Sequence, residues 1–149
     1  TAALCTYPDF YTAAVSSAGN HDNNIYNQWW GETHHGVREV KSFEKKTVKD
    51  SVTGKDTTIS VEKIKFETRI PTNIELAKNL KGYLMLVTGD VDNNVHPANT
   101  FRVANELILQ GKDFDLLLLP NQGHAYEGPY KSYFEKKKRD YFTKYLLAE

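Results

Sequence analysis

The sequence has little cysteine, no long apolar run and no excess of charge of either sign. A single cysteine, Cys5, among 149 residues excludes an internal disulfide framework and a zinc cluster built on cysteines. Its apolar neighbours predict a buried structural thiol. Lysine plus arginine and aspartate plus glutamate balance at 19 each, so the net charge gives no reason to expect nucleic acid or a membrane surface as a partner.

Two further signals are lacking. No stretch of about 18 consecutive apolar residues occurs, and the first residues form neither a basic segment nor a sustained apolar one. The chain as given is therefore expected to contain no membrane span and no export signal of its own. Its length and its apolar and aromatic content suffice for one domain with a sizeable core.

Alternating helix and strand patterns predict an α/β fold. Helices are predicted over 1–7, 71–80, 97–110 and 133–147, and strands over 11–17, 83–87 and 114–119. This order implies about three parallel strands with crossover helices. The last strand, apolar except at Asp115, is expected to be covered on both faces.

Residues 41–66 differ in character from the rest of the chain. They are rich in lysine and threonine, alternate between apolar and polar residues, and contain a turn at 53–56, which predicts an inserted β-hairpin solvated on one face. Its lysines are interpreted as a charged edge that blocks unwanted strand pairing. The aromatic-rich segment 25–36 is interpreted as packing, although it could line a pocket. One domain over 1–149, interrupted by the hairpin at about 41–66, is expected.

Polar residues follow two successive predicted strands. Residues 88–96 follow the strand at 83–87, and residues 121–124 follow the strand at 114–119. Asp92 and His124 are 32 residues apart (124 minus 92), about one loop, helix and strand, so adjacent parallel strands would bring them together. A buried carboxylate can hold an imidazole in one tautomer and stabilise its protonated form. The order acid, then histidine, is the one that follows the serine in α/β-hydrolases.

Plainer interpretations compete with this pair. Asp92 could help to cap the helix that begins near Pro97, and His124 could be an ordinary loop histidine. Asp90 competes with Asp92 as the acid, and spacing alone does not separate them.

A hydrolase of this kind needs a nucleophile on a sharp strand-to-helix turn, normally within G-x-S-x-G. No such motif occurs in these residues. The nearest approach, Val15–Gly19, lacks the first glycine, and Ser16 and Ser17 belong to a predicted strand, so both serines are interpreted as structural.

The stretch from Gly89 to His96 has the pattern G-x-x-D-x-N-V-H, and a histidine follows the next strand. Together they resemble the C-terminal catalytic domain of the prolyl oligopeptidase family, and most closely its dipeptidyl peptidase IV branch. Residues 1–10, 13–17 and 19–30 are also similar to bacterial members of that branch. The resemblance covers most of the chain except the insertion at 41–66.

The resemblance implies the C-terminal part of an α/β-hydrolase fold and a serine peptidase that cleaves peptides after a penultimate proline or alanine. In the family, the serine turn lies just before the helix that residues 1–7 resemble, so the chain is expected to begin just past its nucleophile and to be inactive alone. The upstream part of the same enzyme would supply that turn and a propeller domain. No cofactor is implied, and the family resemblance leans towards an exported or periplasmic enzyme.

Individual roles follow from the same resemblance. Asp92 matches the triad acid at the G-x-x-D spacing, which favours it over Asp90, and His124 matches the triad base. Asn94 matches an asparagine that contacts the substrate backbone, and Tyr26 matches a tyrosine of the pocket that accepts proline. Ala125 departs from the family, where a glycine commonly follows the histidine.

Two other functions remain open from the sequence. One is a catalytically dead α/β binding module whose aromatic loop holds a ligand or partner. The other is a metal site built from His21, Asp22, His34 and His35, although paired histidines in loops are more often solvated or packing residues. If the chain folds alone, its first strand has an unpaired edge, and a homodimer or aggregate through that edge is expected.

Overall fold

The computed structural model describes residues 1–49, 51–67 and 70–147. Five helices lie at Ala2–Thr6 (α1), Gln28–His35 (α2), Asn73–Leu76 (α3), Ala98–Leu109 (α4) and Gly128–Phe142 (α5). The strands are Ala13–Ser17 (β1), Arg38–Lys49 (β2), Asp56–Glu67 (β3), Tyr83–Gly89 (β4) and Asp115–Leu119 (β5). Single turns of 3₁₀-helix lie at Asn23–Ile25 and Ala77–Asn79, and a π-helical turn, Thr143–Leu147, follows α5.

These elements form two compact units. The first, called the sheet unit, comprises Thr1–Tyr26 and Pro71–Glu149, and the second, the hairpin unit, comprises Asn27–Ile70. Strands β1, β4 and β5 form a parallel sheet in the order β1-β4-β5, whereas β2 and β3 form an antiparallel pair. The predicted α/β fold, with about three parallel strands and an inserted hairpin, is therefore confirmed.

The sheet unit has its core on both faces of β4. Leu84 and Leu86 face a cluster formed with α1 and α4, while Met85 and Val87 face a second cluster with α5. All residues of β4 after Tyr83 are buried, because β4 is the central strand and helices cover both of its faces. Cys5 lies fully buried in the first cluster, where burial raises the pKa of its thiol.

The prediction that residues 114–119 would be covered on both faces is wrong. Leu117 and Leu119 pack with α5, but Leu116 and Leu118 are 47% and 43% exposed. The cause is strand order, because β5 lies at the edge of the sheet. On the face opposite α5, helices α1 and α4 pack over the central strand β4. Among the described strands, β1 also pairs with β4 alone, so both outer edges of the sheet are unpaired there.

Local signals explain most helix ends in the sheet unit. Thr72 and Glu75 form a capping box at the start of α3, as the Pro-Thr-Asn sequence predicts, although the helix converts to a 3₁₀ turn after Leu76. Helix α4 begins after Pro97 and ends before Gly111, which has a φ of 62°. Helix α5 begins at Gly128, five residues before the predicted start (133 minus 128).

The hairpin unit is longer than predicted. Its strands extend from Arg38 to Glu67, and Asp50, within the predicted hairpin, lies outside the described residues. Most side chains of both strands are exposed on either face, and cross-strand ion pairs join Lys41 to Glu62 and Lys63 to Glu44. Segment 28–35 is a helix that sequence analysis did not predict, and within it Trp29 and Trp30 remain 62% and 40% exposed.

In the part of the chain that the structure describes, no helix is long and apolar enough to cross a membrane.

Candidate active site

The loops that follow β4 and β5 bring a carboxylate and an imidazole together. Asp92 lies three residues after β4 (92 minus 89), and His124 lies five residues after β5 (124 minus 119). The Oδ2 atom of Asp92 is 3.0 Å from Nδ1 of His124. The Asp92 side chain is fully buried, whereas that of His124 is 44% exposed, so the imidazole extends from a buried partner towards solvent.

The second oxygen of Asp92 is occupied by the main chain. Oδ1 accepts hydrogen bonds from the backbone N–H groups of Asn94, at 2.9 Å, and Val95, at 3.0 Å. These bonds fix the plane of the carboxylate and leave Oδ2 for the histidine. Because a carboxylate is an acceptor, His124 donates from Nδ1, and its Nε2 is then the nitrogen that can accept a proton.

The structure shows which of the two aspartates contacts His124. Asp90 is exposed, and its backbone N–H bonds to the carbonyl of Leu119, whereas Asp92 is the acid that contacts His124. Helix α4 has no side-chain cap from Asp92: the backbone N–H of Ala98 bonds to Nδ1 of His96 instead.

Main-chain bonds hold the two loops against each other. The backbone N–H of Asp90 donates to the Leu119 carbonyl, and that of Val91 donates to the Gln122 carbonyl, both at 3.3 Å. Gly89 lets the end of β4 approach the loop after β5 this closely, since a Cβ there would lie 2.6 Å from the carbonyl carbon of Gln122. The acid and the histidine are therefore positioned by contacts between backbones.

Tyr26 and Asn94, both named from the resemblance, are also in contact. The Tyr26 hydroxyl lies 2.6 Å from Oδ1 of Asn94 and donates to it. This bond orients the Asn94 amide, because its carbonyl oxygen is already used and its Nδ2 group is left to donate elsewhere. Asn94 also contacts the acid, because its backbone N–H donates to Oδ1 of Asp92.

Two residues of this region, Tyr126 and Gln122, were not predicted from the sequence. Tyr126 follows His124 by two positions and accepts a hydrogen bond from the Ser17 hydroxyl at 2.9 Å. Burial raises the pKa of Tyr126, and the nearby Asp92 adds to that effect. Gln122 closes the histidine loop, because its side-chain oxygen accepts from the backbone N–H of Glu127. Neither residue has a sequence signal beyond its closeness to His124.

Two of the residues considered for a metal site have other partners. Nδ1 of His21 accepts from the Asn73 side chain at 2.8 Å, and Asp22 pairs with Arg102 at 2.9 Å. His34 and His35 belong to α2 in the hairpin unit. Within residues 1–49, 51–67 and 70–147, no group of three or more His, Cys, Asp or Glu side chains is placed to hold a metal ion.

His21 makes the stability of the fold sensitive to acid. It is 3% exposed, and burial, with a smaller contribution from the positive N-terminus, lowers its pKa from 6.5 to about 4. Between these values the unfolded chain binds a proton that the folded chain does not. The free energy of unfolding is therefore unaffected by this group above pH 6.5. It should fall by about 3 kcal/mol as the pH drops from 6.5 to 4, because protonation of His21 favours the unfolded chain.

Urea unfolding at about pH 7 and pH 4 measures this loss. We expect His21→Gln to lose distinctly less stability across the interval than the unsubstituted protein. His35→Gln, at an exposed histidine, serves as the control and should keep the full pH dependence. An identical pH dependence in His21→Gln and the unsubstituted protein would show that His21 is not responsible.

An acid and then a histidine after successive parallel strands is the chain order in which these two residues follow the nucleophile in the α/β-hydrolase class. The model of the prolyl oligopeptidase family matches residues 1–149. The chain therefore belongs to the prolyl oligopeptidase family.

Solved structures agree with this assignment at the level of the fold. A Bacteroides ovatus protein provisionally named dipeptidyl aminopeptidase IV matches with a TM-score of 0.69 and 18% identity. Porphyromonas gingivalis dipeptidyl peptidase 4 matches with a TM-score of 0.71 and 21% identity. Each comparison covers 97% of this chain but 17% of the solved chain. No curated protein matches significantly.

Proposed function

We propose that this chain supplies the acid and the base of a serine peptidase. The observation that carries the proposal is the 3.0 Å contact between a buried Asp92 and a partly exposed His124. With Nδ1 held by the acid, Nε2 of His124 is available to take a proton from a serine hydroxyl. No described residue forms a hydrogen bond with Nε2, so this nitrogen is open to a nucleophile from outside the described part.

The chemistry then runs in two stages. His124 removes the serine proton as the hydroxyl attacks the peptide carbonyl, and the charge of Asp92 stabilises the resulting imidazolium. His124 next gives that proton to the departing amine, and the acyl group stays on the serine until water releases it. The serine belongs to a G-x-S-x-G turn that these 149 residues do not contain, so we expect the chain to be inactive alone.

Asn94 and Tyr26 are proposed to bind the substrate. The Nδ2 group of Asn94, oriented by the Tyr26 hydroxyl, is suited to donate to a peptide carbonyl. The Tyr26 ring offers an apolar face to a small residue such as proline or alanine. Membership of the family and the fold shared with the two dipeptidyl peptidases support cleavage after a penultimate proline or alanine.

The remaining partners belong to the same proposal. Upstream parts of the same enzyme would provide the serine turn and a propeller domain, and no cofactor is required by the acid–histidine chemistry. The unpaired edge of β1 is proposed as a place for association into a homodimer, which light scattering would detect. An exported location is proposed from the family alone.

The decisive assay compares this chain with a longer protein that includes the segment encoded before Thr1, using a proline-containing chromogenic dipeptide. We expect activity in the longer protein and none in the chain alone. His124→Ala should lower kcat by at least about ten-thousandfold, while His35→Ala, in an exposed position, should retain activity. Activity that survives His124→Ala would contradict the assignment.

The alternative function is a catalytically dead α/β binding module, favoured by the lack of a serine turn in the chain. The same assay separates the two proposals. An inactive longer protein whose upstream segment contains no serine turn would support the binding module.

A further inference from the structure

An ion pair between a buried carboxylate and a half-exposed arginine joins the loop that leads to Tyr26 to helix α4. The Asp22 carboxylate, 5% exposed, accepts a hydrogen bond from Nη1 of Arg102 at 2.9 Å. Arg102 belongs to α4, the helix that follows the Asp92 loop, whereas Asp22 belongs to the loop that leads to Tyr26. Asp22 is buried at a cost in hydration, and the cation offsets that cost only while the loop stays beside α4.

The same carboxylate shapes the turn that presents Tyr26. Its Oδ1 atom accepts from the backbone and side-chain nitrogens of Asn24, each at 3.0 Å, and thereby caps the 3₁₀ turn at Asn23–Ile25. Tyr26 is the residue immediately after this turn. The direction in which the tyrosine leaves the turn is thus linked to the position of Asp22.

A second residue of α4 connects the two loops directly. Oδ1 of the buried Asn99 accepts from the backbone N–H of Asp22 at 3.3 Å, and its side-chain Nδ2 donates to the His96 carbonyl at 3.4 Å. His96 ends the loop that carries Asp92 and Asn94. Asn99 therefore bridges the loop of Tyr26 and the loop of Asn94 at a fixed separation.

We propose that Asp22 is a positioning residue which, with Asn99 and Arg102, holds the Tyr26 hydroxyl on the Asn94 amide and so sets the affinity of the site for a peptide carbonyl. The inference rests on the proposed function, in which Asn94 binds the peptide backbone. In this proposal Asp22 does not touch the substrate. It acts through Tyr26, whose turn it caps. Its loss should weaken substrate binding rather than the proton transfers of His124.

The first test uses the chain as it stands. The side-chain NH₂ signals of Asn94 in a ¹⁵N-labelled sample, assigned by their loss in Asn94→Asp, report the orientation of its amide. Tyr26→Phe should shift these signals, and Asp22→Asn should shift them in the same direction. The control is Asp9→Asn, which removes an exposed ion pair with Lys81 and should leave them unchanged.

The second test uses the longer, active protein. Asp22→Asn should raise KM about tenfold while kcat changes less than about twofold. In a Tyr26→Phe background the same substitution should raise KM much less, because coupled residues are not additive. If Asp22→Asn fails to fold, Arg102→Gln, at a half-exposed position, should produce the same changes at smaller size.

The outcomes distinguish this inference from the proposed function. Unchanged Asn94 signals in folded Asp22→Asn and Arg102→Gln would overturn the positioning role and leave the peptidase proposal intact. Additive effects of Asp22→Asn and Tyr26→Phe on KM would also overturn it. A longer protein without activity would remove the proposed function, whereas the NMR result would still report whether Asp22 holds the Tyr26–Asn94 contact.

Discussion

Asp92→Asn should reduce kcat of the longer, serine-containing protein by about ten-thousandfold without unfolding it. The reason lies in the two oxygens of Asp92. Oδ1 accepts from the backbone N–H groups of Asn94 and Val95, so an asparagine must keep its oxygen there. Its amide group then faces Nδ1 of His124, where a carboxylate oxygen lies now. Two donors cannot bond to each other, so His124 must move its proton to Nε2 and lose its function as a base.

The tautomer change can be measured apart from activity. In the chain alone, the ¹⁵N shifts of the His124 ring should report a protonated Nδ1 in the unsubstituted protein and a protonated Nε2 in Asp92→Asn. Asp90→Asn is the matched control, because Asp90 lies in the same loop but is exposed. A loss of kcat in Asp90→Asn as large as that in Asp92→Asn, or an unchanged tautomer, would refute this account of Asp92.

Gly89→Ala should destabilise the sheet unit by about 3 kcal/mol and separate Asp92 from His124. The added Cβ would lie 2.6 Å from the Gln122 carbonyl carbon and 2.8 Å from the Gly123 carbonyl oxygen. These are backbone atoms, which cannot rotate away as a side chain can. The histidine loop must therefore shift as a whole, and the main-chain bond between Val91 and Gln122 should break.

Urea unfolding of Gly89→Ala measures the loss of stability, and the ¹⁵N shifts of the His124 ring report the lost contact. Gly123→Ala is the control for stability, because a Cβ at Gly123 meets no heavy atom within 4 Å and its φ is not positive. Its free energy of unfolding should stay within about 0.5 kcal/mol of the original. Equal stability of Gly89→Ala and Gly123→Ala would contradict the close-approach argument.

The sequence predicts those helices and strands of the sheet unit whose ends or burial are set by nearby residues. Helix α4 has proline before its first residue and glycine after its end, and β4 is an uninterrupted apolar run. The coverage of β5 could not be predicted, because a strand with the same composition lies at the centre or at the edge depending on strand order. Helix α2 was missed because Trp, Gly, Thr and His are weak helix formers, although Gly36, with a φ of 70°, marks its end.

The candidate site also contains one contact that the sequence predicts and others that it does not. The proximity of Asp92 and His124 follows from a regular rule, since carboxyl ends of neighbouring parallel strands meet at one edge of the sheet. Their roles as triad acid and base stay predictions. The same rule brings the loops after β1 and β4 to one edge of the sheet, since these strands are also parallel neighbours. It does not predict the contact of Tyr26 with Asn94, because Tyr26 lies nine residues past the end of β1 (26 minus 17) and its position depends on the course of that loop. The ion pair of Asp22 with Arg102, 80 positions apart, is likewise a product of tertiary packing.

The bonds that join the loops after β4 and β5 run between main-chain atoms, from Asp90 to Leu119 and from Val91 to Gln122. Every residue except proline carries the N–H that such a bond needs. The exposed side chains at 90 and 91 can thus be exchanged over evolutionary time without moving the acid away from the histidine. This tolerance offers a physical reason why a chain can keep this architecture while sharing only 18% or 21% of its residues with proteins of the same fold.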